Sequence, residues 1–325
     1  MRPLEAGEPR TIGPYRLLGG LGSGGMGRVY LARSGGGRTV AVKVVHEHLA
    51  LDEEFRARFR REAESARRVG GRWTVPVLDA DPEASPPWIA TGYVAGPSLS
   101  RAVAVHGPLP ERSVRVLGAG LAEALAAIHA SGLVHRDVKP SNVLLALDGP
   151  RLIDFGIARP VDATTSLTST GVAVGSPGFM SPEQALGGVG GPGPTGASDV
   201  FSLGAVLAYA ATGAVPFPGD SAAVLLYKVV HEEPELDPAL AGPLRDLVAA
   251  CLAKDPAARP APADLAAELS AGAAPEDGGT AAGGWLPAAV VEEISRAVVR
   301  LLDLEPEPGA AEGGPAAAAP AGAGA

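Results

Sequence analysis

An acid, a cation, an amide and a second acid fall within twenty residues of one another. They are Asp137, Lys139 and Asn142 in His135-Arg136-Asp137-Val138-Lys139-Pro140-Ser141-Asn142, then Asp154 in Asp154-Phe155-Gly156. That set suits the movement of a phosphoryl group from a nucleotide to a hydroxyl, which asks a protein mainly for positioning and neutralisation of phosphate charge. Asp137 can orient and deprotonate an attacking hydroxyl. Lys139 can sit against the transferred group. Asn142 and Asp154 offer hard oxygen ligands of the kind magnesium takes, with manganese as the alternative cation. A His-Arg-Asp triplet recurs by chance; the longer string followed by Asp-Phe-Gly is far more specific.

Other elements must hold the nucleotide against these groups. Leu21-Gly22-Ser23-Gly24-Gly25-Met26-Gly27-Arg28-Val29 has the spacing G-x-G-x-x-G-x-V, and such glycines let backbone amides approach phosphate oxygens. A dinucleotide-binding turn shares this string but must open directly into a helix. Here the glycines run into a β-prone stretch, the turn Ser34-Gly35-Gly36-Gly37, and a second strand containing Val40-Ala41-Val42-Lys43. The chain has four lysines and twenty-three arginines, and Lys43 and Lys139 are two of the four. A compact ammonium kept where arginine is the default cation points to a geometric demand, although Lys43 alone would read as a solvated strand end. Residues 52–66 follow as an amphipathic helix, with Phe55, Phe59, Ala63 and Ala66 on one 3.6-residue stripe and Asp52, Glu53 and Glu54 in the first turn. Glu62 borders the stripe and so faces the lobe, whereas Glu64 points further round. A surface pairing of Glu62 with Arg58 or Arg61 stays open.

These motifs, in this order, resemble those of the bacterial eukaryotic-like (Hanks-type) serine/threonine protein kinases. The resemblance implies an α+β, two-lobed fold: a small N-lobe with an antiparallel sheet and one main helix, and a larger, mostly helical C-lobe. It implies that residues 21–29, Ala41, Lys43 and the hinge residues Thr91, Gly92 and Val94 bind ATP, and that Glu62 pairs with Lys43. Many family members carry an acid where this chain has Gly92. Asn142 and Asp154 would hold magnesium, while Asp137 and Lys139 would serve transfer to Ser or Thr hydroxyls of protein substrates. Ser181-Pro182-Glu183 stands where the family writes Ala-Pro-Glu. Arg259 matches the arginine that pairs with that glutamate, and Asp199 the aspartate that braces the catalytic loop. Thr168 and Thr170 match an autophosphorylated pair, modified in trans within a kinase homodimer. Ser176 matches a hydroxyl of the substrate platform. Arg136, next to the catalytic aspartate, needs an anionic partner that a phosphothreonine would supply. Thr164, Thr165, Ser166 and Ser169 share this hydroxyl-rich segment.

The 325 residues divide into an N-terminal extension at 1–14, a catalytic unit at 15–270 (N-lobe about 15–92, C-lobe about 93–270) and a tail at 271–325. A stretch rich in Gly and Pro between Leu186 and Ala197 reads as a loop insertion. The tail is dominated by Ala, Gly, Pro and acids, except for an amphipathic helix at about 285–304. Val290, Ile294, Ala297, Val298, Leu301 and Leu302 form its apolar stripe, opposite Glu292, Glu293, Arg296 and Arg300. That helix docks on the C-lobe or binds a partner. Since every proposed catalytic residue precedes residue 200, removing 272–325 is expected to spare catalysis. The net charge of −9 argues against a nucleic-acid partner. The single cysteine, Cys251, reads as a packed core thiol in a reducing compartment. No signal peptide or membrane span is expected, which places the protein in the cytoplasm. The Ala, Gly, Pro and Arg bias points to a high-GC, actinobacterial genome. Two rivals remain. A catalytically silent pseudokinase would have lost one of Lys43, Asp137 or Asp154, and a small-molecule phosphotransferase would lack the activation segment.

Overall fold

A computed structural model describes residues 1–154, 177–187, 193–273 and 284–304. Its N-terminal half is a six-stranded antiparallel sheet in the order β1-β2-β3-β4-β6-β5, where β1 is Thr11–Ile12, β2 Tyr15–Gly24, β3 Gly27–Arg33, β4 Thr39–Val45, β5 Val77–Asp81 and β6 Trp88–Gly92. Strand β4 is rich in β-branched residues, with Thr39, Val40, Val42, Val44 and Val45, which suits a pleated surface in the middle of the sheet. Register decides what each face does. Val29 opposes Lys43, which opposes Ile89; Tyr30 opposes Val42, which opposes Ala90. The second set packs an outer core with Tyr15, Leu17, Ala32, Val40, Val44 and Trp88. The first faces the helix α2, Glu53–Ala66, which follows the short α1, Glu47–Ala50, and whose Phe55, Phe59 and Ala63 pack with Val45 and Ile89.

Helix α2 buries the stripe read from its sequence, Phe55, Phe59, Ala63 and Ala66. Its start differs by one position from the expectation. Asp52 is the N-cap rather than a first-turn residue, and its carboxylate accepts from the amides of Glu54 and Phe55. An aspartate does more as a cap, where it satisfies two orphan donors, than as a dipole charge.

The C-terminal half is mostly helical around α4, Glu111–Ala130, and α6, Gly196–Thr212, with the shorter α3, Leu99–His106, and α5, Pro182–Ala185, beside them, so the two-lobed α+β architecture is the one observed. Helix α4 is, among the described residues, the one helix long and apolar enough to cross a membrane by length and composition. Its most apolar window is 67% buried within the lobe, and its apolar character is that of a core helix. Cys251 is buried, and burial pushes its thiol up to about 12, as a packed core thiol requires.

The tail helix, Ala288–Leu302, lies on the C-lobe. Trp285, Leu286, Val290 and Ile294 join the main core. The Trp285 indole donates to the carbonyl of Ala146 at 2.9 Å, and Ser113 donates to the carbonyl of Trp285 at 2.6 Å. Two details differ from the helical-wheel reading. Val298 and Leu302 remain exposed. Glu293, expected on the solvent face, instead accepts from Arg101 at 2.7 Å and pairs with His106 at 2.9 Å. Deleting 272–325 should therefore cost stability even where it spares chemistry. Losing four buried apolar side chains, each worth about 1.5–3 kcal/mol less the ordering cost, should lower Tm by about 5–10 °C. The rate per folded molecule should stay within about twofold. Calorimetry beside an activity titration checks both, and an unchanged Tm would contradict the docking.

Candidate active site

The catalytic-loop motif leaves α4 and ends in a 3-10 turn, Pro140–Asn142, before the hairpin of β7, Val143–Ala146, and β8, Gly149–Leu152. Its shape is imposed from below. Asp199, 1% exposed, accepts from the backbone amides of His135 and Arg136 and pairs with the His129 ring, each at 2.8 Å. These bonds hold Arg136 at a φ of 63°, a left-handed value that a non-glycine residue adopts only when its surroundings over-determine it. The other non-glycine residue with positive φ, among those described, is Asp154 at 57°. Both strained positions thus flank the chemistry. His135 is fully buried: its Nδ1 accepts from the Asp137 amide at 3.2 Å and its Nε2 donates to the Ile153 carbonyl at 3.0 Å. That pairing needs the neutral ring, and burial holds its pKa below the usual value.

This frame brings five charged or amide groups together, three around Asp137 and two in an ion pair. Lys139 Nζ lies 3.0 Å from Asp137 Oδ2. Asn142 Nδ2 donates to the carbonyl of Asp137 at 2.9 Å and to its Oδ2 at 3.0 Å, which leaves Oδ1 of Asn142 on the other side of the amide. Across the cleft, Lys43 Nζ reaches Asp154 Oδ2 at 3.1 Å, joining β4 to the segment that follows β8. Glu62 is half-buried on α2 and Glu64 is exposed. Among the described residues, no group of three or more His, Cys, Asp or Glu could hold a metal alone. An amide oxygen and one carboxylate fit a magnesium ion that takes its remaining ligands from water and phosphate. They fit a zinc cage poorly.

The glycine-rich stretch forms the turn of the β2–β3 hairpin, paired as far as Gly24 with Gly27. A Cβ at Gly27 would fall 2.0 Å from the carbonyl oxygen of Val44, so no side chain fits there. His46, which the sequence reading passed over, anchors the tip: its ring bonds the Gly24 carbonyl at 2.9 Å and its amide donates to the Met26 carbonyl at 3.0 Å. Leu21, Val29 and Ala41 are half-buried, and Gly22, Ser23, Gly24 and Gly25 are exposed. Val29 lies on the Lys43 face, so Arg28 projects from the opposite face, where it pairs with Glu8 at 3.3 Å. Its backbone alone is left to serve the loop. At the hinge, the Thr91 hydroxyl lies 3.5 Å from the Ala41 carbonyl and the Gly92 amide donates to Pro76 at 3.1 Å. The Val94 carbonyl accepts from the Gly96 amide at 3.1 Å.

Below the cleft, Arg259 meets Glu183 through two bonds of 2.7 and 3.0 Å, with the guanidinium fully buried. Burial pushes the Glu183 carboxyl up, but Arg259 and the Ser198 hydroxyl, 2.6 Å away, outweigh it and hold the group below the usual range. Gln184, also unremarked in the sequence, caps its own helix through Ser181 and donates to the Arg136 carbonyl at 3.1 Å. Phe155, Gly156, Thr164, Thr165, Ser166, Thr168, Ser169, Thr170 and Ser176 lie outside the described residues, as do 188–192 of the Gly/Pro-rich stretch.

Residues 15–269 match the protein kinase domain family. The chain is 56% identical over 270 residues to the probable serine/threonine-protein kinase PkwA of Thermomonospora curvata, covering 83% of this chain and 36% of that protein. It is 53% identical over 287 residues to the serine/threonine-protein kinase AfsK of Streptomyces coelicolor, covering 87% and 35%. The crystal structure of the Mycobacterium tuberculosis PknI kinase domain superposes with a TM-score of 0.60 at 28% identity, covering 82% of this chain and 98% of that one. The chain thus spans just over a third of the length of the curated relatives it matches.

Proposed function

The chain belongs to the protein kinase domain family, of the bacterial Hanks type, and from that premise we propose that it transfers the γ-phosphoryl group of ATP to Ser and Thr hydroxyls of proteins. The observation that carries this reading is the Lys43–Asp154 ion pair standing beside the Asp137–Lys139–Asn142 group. The glycine-rich hairpin covers the phosphates with its amides, and Lys43 places a cation against them. Magnesium, with manganese as the alternative, would sit on Asn142 Oδ1 and Asp154 and neutralise phosphate charge. Asp137 orients the substrate hydroxyl and takes its proton, while Lys139 balances charge at the transferring group. The pseudokinase reading is disfavoured because Lys43, Asp137 and Asp154 are all kept. The catalytic unit is assigned to 15–270, with 1–14 and 271–325 as extensions. ATP and a buried free thiol favour the cytoplasm.

Activity is set by phosphorylation of Thr168, Thr170 or both, made in trans within a transient homodimer, with Arg136 receiving the phosphate. Labelled ATP, first without substrate and then with a generic basic protein, tests the reaction. Mass spectrometry of the active protein against Lys43→Met tests the switch. Phosphate on Thr168 or Thr170 in the active protein only, and slower substrate phosphorylation by about tenfold in the Thr168→Ala, Thr170→Ala double variant, is the expected result. Phosphate absent from 157–176, or an unchanged double variant, would remove the switch.

A further inference from the structure

Residues 1–8 fold back along the N-lobe instead of trailing away. Arg2 exchanges two backbone bonds of 2.9 Å with Gly20 and so extends the β2 edge that β1 begins. That approach depends on Gly19, where a Cβ would come 2.8 Å from the Arg2 carbonyl oxygen. The segment ends on Glu8, an acid whose side chain is only 3% exposed. Its carboxylate accepts from four donors. Arg2 reaches it at 2.7 Å, the Glu5 amide at 2.9 Å, the Tyr30 hydroxyl at 3.1 Å and Arg28 at 3.3 Å. Arg2, more than the other donors, holds the carboxyl down to about 2, so the group stays charged through the working range.

Two of those donors belong to the glycine-rich hairpin. Arg28 and Tyr30 stand on the outer face of β3, opposite Ser23 and Gly20 of β2. The inner face carries Val29 beside Lys43. His46 already fixes the tip of the same hairpin. A buried carboxylate that ties the outer side to a second piece of chain would fix its base, and a loop that clamps phosphates with amides gains affinity when little freedom is left to lose. We propose that residues 1–8 brace the glycine-rich hairpin and that Glu8 is a positioning residue for ATP binding, acting through Arg28 and Tyr30 without touching the nucleotide. The inference rests on the hairpin being the nucleotide site, as argued above.

The test is an initial-rate titration of ATP with the full chain, its Glu8→Gln and Glu8→Asp variants, and Gly19→Ala, which displaces Arg2 while leaving Glu8 in place. Glu8→Gln should raise KM for ATP about fivefold and leave kcat within about twofold, the size expected when one charge-assisted contact is lost. Glu8→Asp should recover part of that change, and Gly19→Ala should reproduce it. Hydrogen exchange in Glu8→Gln should quicken over residues 19–30 and not over α4. An unchanged KM in both Glu8→Gln and Gly19→Ala, with or without a lower Tm, would reduce Glu8 to a fold-stabilising residue and overturn the inference. If Glu8→Gln does not fold, the KM of Gly19→Ala decides. Should the unaltered chain fail to bind ATP, the nucleotide-site reading falls and takes this one with it, whereas normal ATP binding with unmoved variants sinks this one alone.

Discussion

Lys43→Met is expected to give a folded protein whose phosphoryl transfer is slower by about 10²-fold or more, a loss of several kcal/mol of transition-state stabilisation. The fold should survive because Lys43 projects into the cleft and its partner Asp154 is 40% exposed, so solvent screens the pair and limits its contribution to about 1 kcal/mol or less. Methionine fills a similar volume on β4 and leaves the register with Val29 and Ile89 untouched. Asp137→Asn should be as inactive for a different reason. The amide cannot take the hydroxyl proton, and it turns a donor toward Lys139 or the Asn142 amide, where Oδ2 now accepts from both. Thermal shift separates the two. Asp137→Asn should still be stabilised by ATP with magnesium, whereas Lys43→Met should lose much of that shift. Equal ATP-dependent shifts in both variants, or a near-normal rate in either, would show that the nucleotide and proton-transfer roles are wrongly assigned.

Asp199→Ala should damage stability and activity together. The carboxylate is buried, and its removal strips the acceptors from the amides of His135 and Arg136. Each unsatisfied buried donor costs about 1–3 kcal/mol, so a total of about 3 kcal/mol or more and a Tm lower by about 6–12 °C are expected. The φ of 63° at Arg136 then has nothing to hold it, and Asp137, the next residue, moves from its place beside Asn142. A fall in kcat of about 10²-fold should therefore accompany the loss of stability, even below the new Tm. Asp199→Asn, which keeps one acceptor oxygen, should fall between. Normal kcat at low temperature in Asp199→Ala would mean that the catalytic loop keeps its shape without this brace.

Much of the site was legible in the chain because its groups lie close together in sequence or carry a local pattern. The spacing from Asp137 to Asn142, the glycines before Val29 and the α2 stripe are all short-range, and the observed elements follow them. The α+β, two-lobed fold followed from the family that this order of motifs resembles. What stayed hidden depends on residues brought together from far apart. The spacing of the glycines did not say where the Arg28 guanidinium goes; the pleat and the acid at Glu8 place it on the face away from Lys43. Glu293 looked like solvent-face charge on a helical wheel, but Arg101, 192 residues away, and His106 give that face a partner. The apolar stripe of the tail helix said that something covers it, and only the lie of Trp285 and Val290 in the C-lobe core decided what. Periodicity and spacing are set by covalent geometry and local sterics, so one stretch of sequence determines them. Which distant surface meets which, and hence which side chain finds a charge to pair with, is settled only when burial brings the elements together.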